Sequence, residues 1–258
     1  FPCSVDLTAR CPQPRTCSDR LGTPAMCSRI AQYRLKQAYA QAMGWSVKMF
    51  VECPRDRVPN WNVPPGSQPW LMHRLRSGKP GIEMMNWGYR PSRADEIGVP
   101  LTTSVGVDEA MVGPYFKPLA KAGRAVVPVD GWYEWTTVGG VRQPWFVQRK
   151  SHQPFFLAAI SSYRAHNVVA DDTGFVLVCP TRGGGVVDAG DQRPLALEAN
   201  SAALWIDPEL SVEKAAHIAQ TSALAREQFE WFRVTLEVNR YASNRSDLIA
   251  PLTAHSFA

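Results

Sequence analysis

The sequence has no apolar run of the roughly 18 residues needed to cross a bilayer as a helix, and its first 25 residues lack the apolar core of a signal peptide. No Cys-x-x-Cys pair occurs, which argues against a structural zinc site. Internal repeats and heptads are also missing, which removes solenoids and coiled coils. The six cysteines are Cys3, Cys11, Cys17, Cys27, Cys53 and Cys179. Half fall within the first 17 residues and the rest are scattered. No disulfide framework is suggested over 27–258, as in a reducing cytoplasm.

What is present is enough to build a sizeable core. The chain has 258 residues, 45% of them hydrophobic, so one domain, or one domain with a tail, is expected. With 21 Pro, 18 Gly and 10% aromatic residues, many turns and short strands are favoured over long helices. A net charge of +5 is compatible with a nucleic-acid partner, but many proteins without one share it. The nine Trp residues could offer stacking platforms for single strands, although most are expected in the core.

Residues 1–25 have few large apolar residues and no periodicity, and are read as a disordered or non-native extension from an upstream start or a fragmentary reading frame. A domain over 26–258 follows. Arg29–Met43 reads as a short amphipathic helix. Strands are expected from Trp70, over Ile82–Tyr89, Arg124–Val129, Trp132–Thr137, Pro144–Gln148, Pro154–Ile160, Gly174–Cys179 and Trp231–Val238. Asp130-Gly131 is read as a turn, and Gly139-Gly140 as the turn of a hairpin. Residues 90–100 read as a polar loop. Ser201–Ile206 and Val212–Ala223 are read as helices, the second with Ala215, Ile218 and Ala219 inward. The fold class is α+β: a single domain of mostly antiparallel strands, expected to form a curved, barrel-like sheet core with a few flanking helices.

Two short motifs carry chemistry. The first is Met26-Cys27. A cysteine after an initiator methionine becomes a first residue once the methionine is trimmed. It then carries a free α-amine and a thiol on adjacent carbons. That pair condenses with an aldehyde to an imine, and the thiolate closes a five-membered thiazolidine. An internal cysteine cannot do this, so Met26 and the residues before it must be absent for the chemistry to run. The second motif is Asp130-Gly131-Trp132-Tyr133-Glu134-Trp135. Strand alternation puts Trp132 and Glu134 on one face and Tyr133 and Trp135 on the other. A carboxylate bracketed by aromatic rings is suited to proton transfer. Its bland alternative is a solvent-facing glutamate at a strand end.

These motifs, with Asn62-Val63-Pro64-Pro65-Gly66, Trp87-Gly88-Tyr89, Phe116-Lys117-Pro118-Leu119, Gly123-Arg124-Ala125, Gln143-Pro144-Trp145-Phe146, Arg193-Pro194-Leu195 and Trp205, fall in the order of one family. Over residues 26–251 the chain resembles the SOS-response-associated peptidase (SRAP) domain. The resemblance implies a sensor of abasic sites in single-stranded DNA. Its N-terminal cysteine forms a thiazolidine DNA–protein crosslink with the ring-opened sugar and also serves in autoproteolytic removal of the leading residue. Carried onto this chain, Cys27 supplies amine and thiol, and Glu134 shuttles protons. Arg29, Asn62, Ser104, Arg90, Arg93 and Arg193 line the path of the DNA. No cofactor or metal is implied. The expected setting is cytoplasmic, nucleoid-associated when on DNA, as a monomer with no membrane partner.

The chain departs from the family pattern at several positions. Ser104 stands where the family has the Asn that positions the opened sugar, and Gly106 where it has an Arg that holds a phosphate. Gly190 replaces the proton-donating His, and Pro91–Ala94 replaces a Trp-Trp wedge, with Arg90 and Arg93 keeping that loop basic. His73, His152, His166 and His217 are read as surface or satisfied residues rather than substitutes, and Cys179 as a buried small residue. The alternative is therefore a degenerate SRAP scaffold that binds DNA or a protein partner without crosslinking. A cysteine peptidase acting on other proteins would need a histidine beside Cys27, and no motif supplies one.

Overall fold

The computed structural model describes residues 28–46, 58–74, 79–90, 101–163, 173–181, 184–187 and 193–252. Residues 1–25, Met26-Cys27, Pro91–Ala94, His166 and Gly190 lie outside the described residues.

Among the described residues, twelve strands make two stacked sheets. The first has the order β12-β8-β7-β1-β2 and the second β4-β3-β6-β9-β10-β5, with β11 also paired to β9. In chain order these are β1 Ile30–Gln32, β2 Asn60–Val63, β3 Trp70–Arg74, β4 Pro80–Met84, β5 Ser104–Gly106, β6 Arg124–Val129, β7 Gly131–Val138, β8 Val141–Arg149, β9 Phe155–Ser161, β10 Phe175–Cys179, β11 Ala196–Leu197 and β12 Phe229–Arg233. All pairings are antiparallel except β10 with β5. Five α-helices among the described residues, Lys36–Ala42 (α1), Val107–Val112 (α2), Lys117–Ala122 (α3), Ala199–Trp205 (α4) and Val212–Thr221 (α5), accompany them.

The α+β class therefore stands, but the barrel does not: the two sheets remain separate layers rather than one closed cylinder. Strand β9 shows why. Every residue of Phe-Phe-Leu-Ala-Ala-Ile-Ser is buried, as expected of a central strand covered on both faces. Its Leu157 and Ala159 face the other sheet in a core with Ile30, Trp132, Val147, Phe229 and Leu177. Its Phe156, Ala158 and Ile160 face the helices, with Tyr39, Ala110, Leu119, Trp205 and Ala219. A smaller third core lies on the far side of the first sheet, where Tyr133 and Phe146 meet Val234, Val238 and Leu248 of the C-terminal segment. Cys179 is wholly buried, and burial pushes its thiol up to about 12.

Several local expectations change. The amphipathic reading of 29–43 merges two elements: Ile30–Gln32 is strand and the helix begins only at Lys36. The Gln32 amide donates to the Pro128 (2.7 Å) and Trp70 (3.2 Å) carbonyls and accepts from the Trp70 N–H, tying β1 across to the second sheet. Asp130-Gly131 is not a turn. Asp130 accepts from the Tyr33 N–H, the Arg34 guanidinium and the Tyr39 hydroxyl, and Gly131 already lies in β7. A Cβ there would come within 2.4 Å of the Phe146 ring and 2.6 Å of the Val147 carbonyl oxygen. The Gly139-Gly140 hairpin is as expected, with both residues at positive φ (57° and 80°) between the paired Val138 and Val141. The last strand ends at Arg233, and Leu236–Asn239 is a 3₁₀ turn. In α5 the buried face is Ala215, Ala216 and Ala219, with Ile218 half-exposed.

His73 overturns its reading as a surface or satisfied residue. It lies on β3, 5% exposed, against the Tyr163 ring at 4.3 Å and over Gly81, where any Cβ would strike its ring. Neither ring nitrogen has a hydrogen-bond partner among the described residues. Burial alone pushes its pKa down to about 4. The folded chain thus refuses a proton that the unfolded chain accepts near pH 6.5, and stability is lost as pH falls from about 6.5 to about 4. His73→Phe keeps a ring and removes the titration. Between pH 7 and pH 4, urea unfolding should shift in favour of this variant over the parent by about 3 kcal/mol. A gap that stays constant with pH would contradict a neutral buried imidazole.

Candidate active site

The site grows from the first half of β7. Tyr133 donates its N–H to the Arg29 carbonyl at 3.1 Å, and Ile30 pairs with Trp132. The chain that precedes β1 therefore leaves Arg29 running along β7 in the direction of Glu134. Asp130 fixes the other end of β1 through Tyr33 and Arg34. Burial raises the Asp130 pKa, while its three hydrogen bonds oppose that rise.

Glu134 is only 4% exposed, which rules out the solvent-facing alternative. Its Oε1 accepts the Trp132 indole N–H and the Val186 N–H, each at 2.9 Å, and its Oε2 accepts the Val187 N–H at 2.7 Å. The shared face of Trp132 and Glu134 is as alternation requires. Val186 and Val187 follow β10 of the second sheet, so one carboxylate joins the two layers. Three N–H donors replace the water that burial removes.

Ser104 is 5% exposed, and its hydroxyl has no partner among the described residues. It pairs with Leu177, whose side chain packs in the core between the sheets with Trp132. Ser104 and Glu134 thus face the same interlayer space from opposite sheets. The structure also brings Arg29 and Asn62 together: Arg29 Nε donates to Asn62 Oδ1 at 3.0 Å. Both are buried and serve the C-terminal segment. The Asn62 amide donates to the Val238, Arg240 and Ser243 carbonyls, and the Arg29 guanidinium lies 3.9 Å above the Tyr241 ring. Desolvation pulls the Arg29 pKa down, and hydrogen bonding to Tyr241 opposes it. Arg90 is exposed and Arg193 half-buried; Cys27 and Arg93 lie outside the described residues. Gly106 has an ordinary backbone (φ −63°, ψ 143°) and open space where a side chain would project. No cluster of three His, Cys, Asp or Glu side chains that could hold a metal occurs among the described residues.

Sequence reasoning missed the two partners of Glu134 on the Val186-Val187 backbone, because an amide donor leaves no trace in residue type. It also missed Trp145, directly opposite Glu134 on β8, although alternation in the return strand of the hairpin was there to locate it.

This is the architecture of a domain with a buried carboxylate, Glu134, met on both oxygens by protein N–H groups beside the strand that follows Ser28 and Arg29. The chain matches the SOS response associated peptidase (SRAP) family over residues 26–241 and belongs to that family. It is 31% identical to the abasic site processing protein YedK of Escherichia coli K12 over 228 residues, 88% of this chain and all of the other. It is 30% identical to the mouse abasic site processing protein HMCES over 146 residues, 47% of this chain and 40% of the other. Among solved structures it resembles a phage-related protein of Bordetella bronchiseptica, with a TM-score of 0.68, 28% identity and coverage of 81% and 94%. A Bacteroides thetaiotaomicron protein shares the fold, with a TM-score of 0.70, 17% identity and coverage of 88% and 100%.

Glu134→Gln tests the carboxylate clamp. An amide NH₂ would have to face at least one of the three N–H donors, so the variant should lose about 2 kcal/mol, read as a lower urea midpoint at unchanged m. A variant as stable as the parent would show that the clamp does not hold the layers.

Proposed function

We propose that this chain processes abasic sites by binding single-stranded DNA and forming a thiazolidine crosslink through Cys27. The observation that carries this reading is Glu134, sunk and hydrogen-bonded within β7 beside the N-terminal end of β1. Its family supplies the substrate class, and the unpartnered Ser104 hydroxyl facing the same space suits a sugar oxygen.

The reaction needs Cys27 with a free α-amine, which requires loss of everything through Met26. The amine adds to the aldehyde carbon of the opened sugar and expels water as an imine. The thiolate then adds to the imine carbon, the nitrogen takes up the proton the thiol gave, and the net loss is one water. Glu134 carries protons in both stages. General acid–base groups contribute about 10²–10⁴-fold, so an aminothiol that condenses unaided is accelerated rather than enabled. Gly190 in place of the family histidine leaves Glu134 the principal proton carrier. Gly106 in place of the family arginine removes one phosphate contact.

The test is to express the chain from Met26, establish by mass that Cys27 is first, and add single-stranded DNA bearing one abasic site. A heat-stable, SDS-resistant band is expected that is absent in Cys27→Ser and forms about 100-fold more slowly in Glu134→Gln at saturating DNA. No band from the parent with Cys27 exposed would overturn crosslinking and leave a binding scaffold. Gly106→Arg, which the open space admits, should tighten single-strand binding and steepen the salt dependence of log K by about 0.7 per phosphate gained. An unchanged slope would place the strand elsewhere.

A further inference from the structure

Glu134 is the first member of a row that crosses three strands. It stands opposite Trp145 of β8, and Trp145 stands opposite Arg233 of β12. Paired residues of antiparallel strands share a face, so all three side chains project to the side of Trp132 and Val147. With strands about 4.8 Å apart, Trp145 lies one strand and Arg233 two strands from the carboxylate.

The row is built rather than accidental. The Trp145 indole N–H donates to Thr136 Oγ1 at 2.9 Å, which fixes the ring. The Arg233 guanidinium carbon lies 5.1 Å from its centroid. Beside it a second pair repeats the arrangement, with Arg226 5.0 Å from the Trp231 ring. Arg226 Nε also donates to the Val186 carbonyl at 2.9 Å, and the Val186 N–H holds Glu134. Both tryptophans are half-exposed and both arginines exposed. Neither guanidinium has an ion-pair partner among the described residues. Stacking on an indole pre-orients a guanidinium while leaving the N–H edge of Arg233, and the terminal N–H groups of Arg226 beyond its Nε bond to Val186, open for a phosphate.

We propose that the Trp145–Arg233 pair, continued by Trp231–Arg226, is the seat for the nucleotide next to the lesion on the bound single strand. The base stacks on the ring or on the guanidinium plane, and the phosphate meets the N–H edge. An acidic peptide would satisfy the charges but leave the aromatic faces unused. The surface also offsets the charge lost at Gly106. This inference rests on the DNA reading above.

The test is fluorescence anisotropy of the chain with a labelled single-stranded oligonucleotide, with and without an abasic site, over a salt series. Arg233→Ala should make the slope of log K against log salt shallower by about 0.7. Trp145→Ala should bind about tenfold more weakly at fixed salt, and Trp145→Phe close to the parent. If the parent binds and Arg233→Ala keeps its affinity and slope, the seat is wrong while the DNA reading survives. If an oligo-glutamate peptide competes as well as the oligonucleotide, the seat takes an acidic peptide and the proposal falls. If the parent binds no single strand at all, the DNA reading itself fails and this one with it.

Discussion

The architecture around the site turns on one buried carboxylate. Removing a glutamate side chain from water costs several kcal/mol unless its lone pairs are met, and here they are met from both layers. Trp132 donates from the same strand and face, and Val186 and Val187 donate from the segment that follows β10. The carboxylate therefore needs both sheets in place, and the segment leaving β10 needs the carboxylate. Arg226 extends the dependence by holding Val186 through its carbonyl. A carboxylate set in this way has one orientation, which is what the proposed proton transfer to a nearby amine requires.

The second constraint is the placement of β1. It is three residues long, too short to be stable alone, yet it lies between β2 and β7 and is tied across the interlayer space by Gln32 and back to β7 by Asp130. Arg29 and Asn62, expected along the DNA path, are used to bind this strand region to the C-terminal segment. We propose that they hold the segment before β1 in place, while exposed positive charge for the strand is offered by Arg226 and Arg233.

Much of this was legible in the sequence. Uninterrupted apolar runs marked β6, β9 and β10, and Gly-Gly marked the hairpin. Alternation put Glu134 and Trp132 on one face. What failed did so for physical reasons. Ile30–Gln32 is a good helix segment by periodicity, but pairing with β2 and β7 overrides that preference. Whether two sheets close into a barrel depends on pairing at their edges, which residue pattern does not encode. His73 gave no sign of burial, because its cavity is made by Gly81 and Tyr163 on other elements.

The most direct measurement of the central claim is a crystal structure of the chain, processed to Cys27, after reaction with a short single strand carrying an abasic site. The account predicts a thiazolidine at Cys27 within hydrogen-bond reach of the Glu134 carboxylate, with Val186 and Val187 still donating to it. An adduct formed away from Glu134, or a Cys27 held on the far side of β7 from it, would contradict the account.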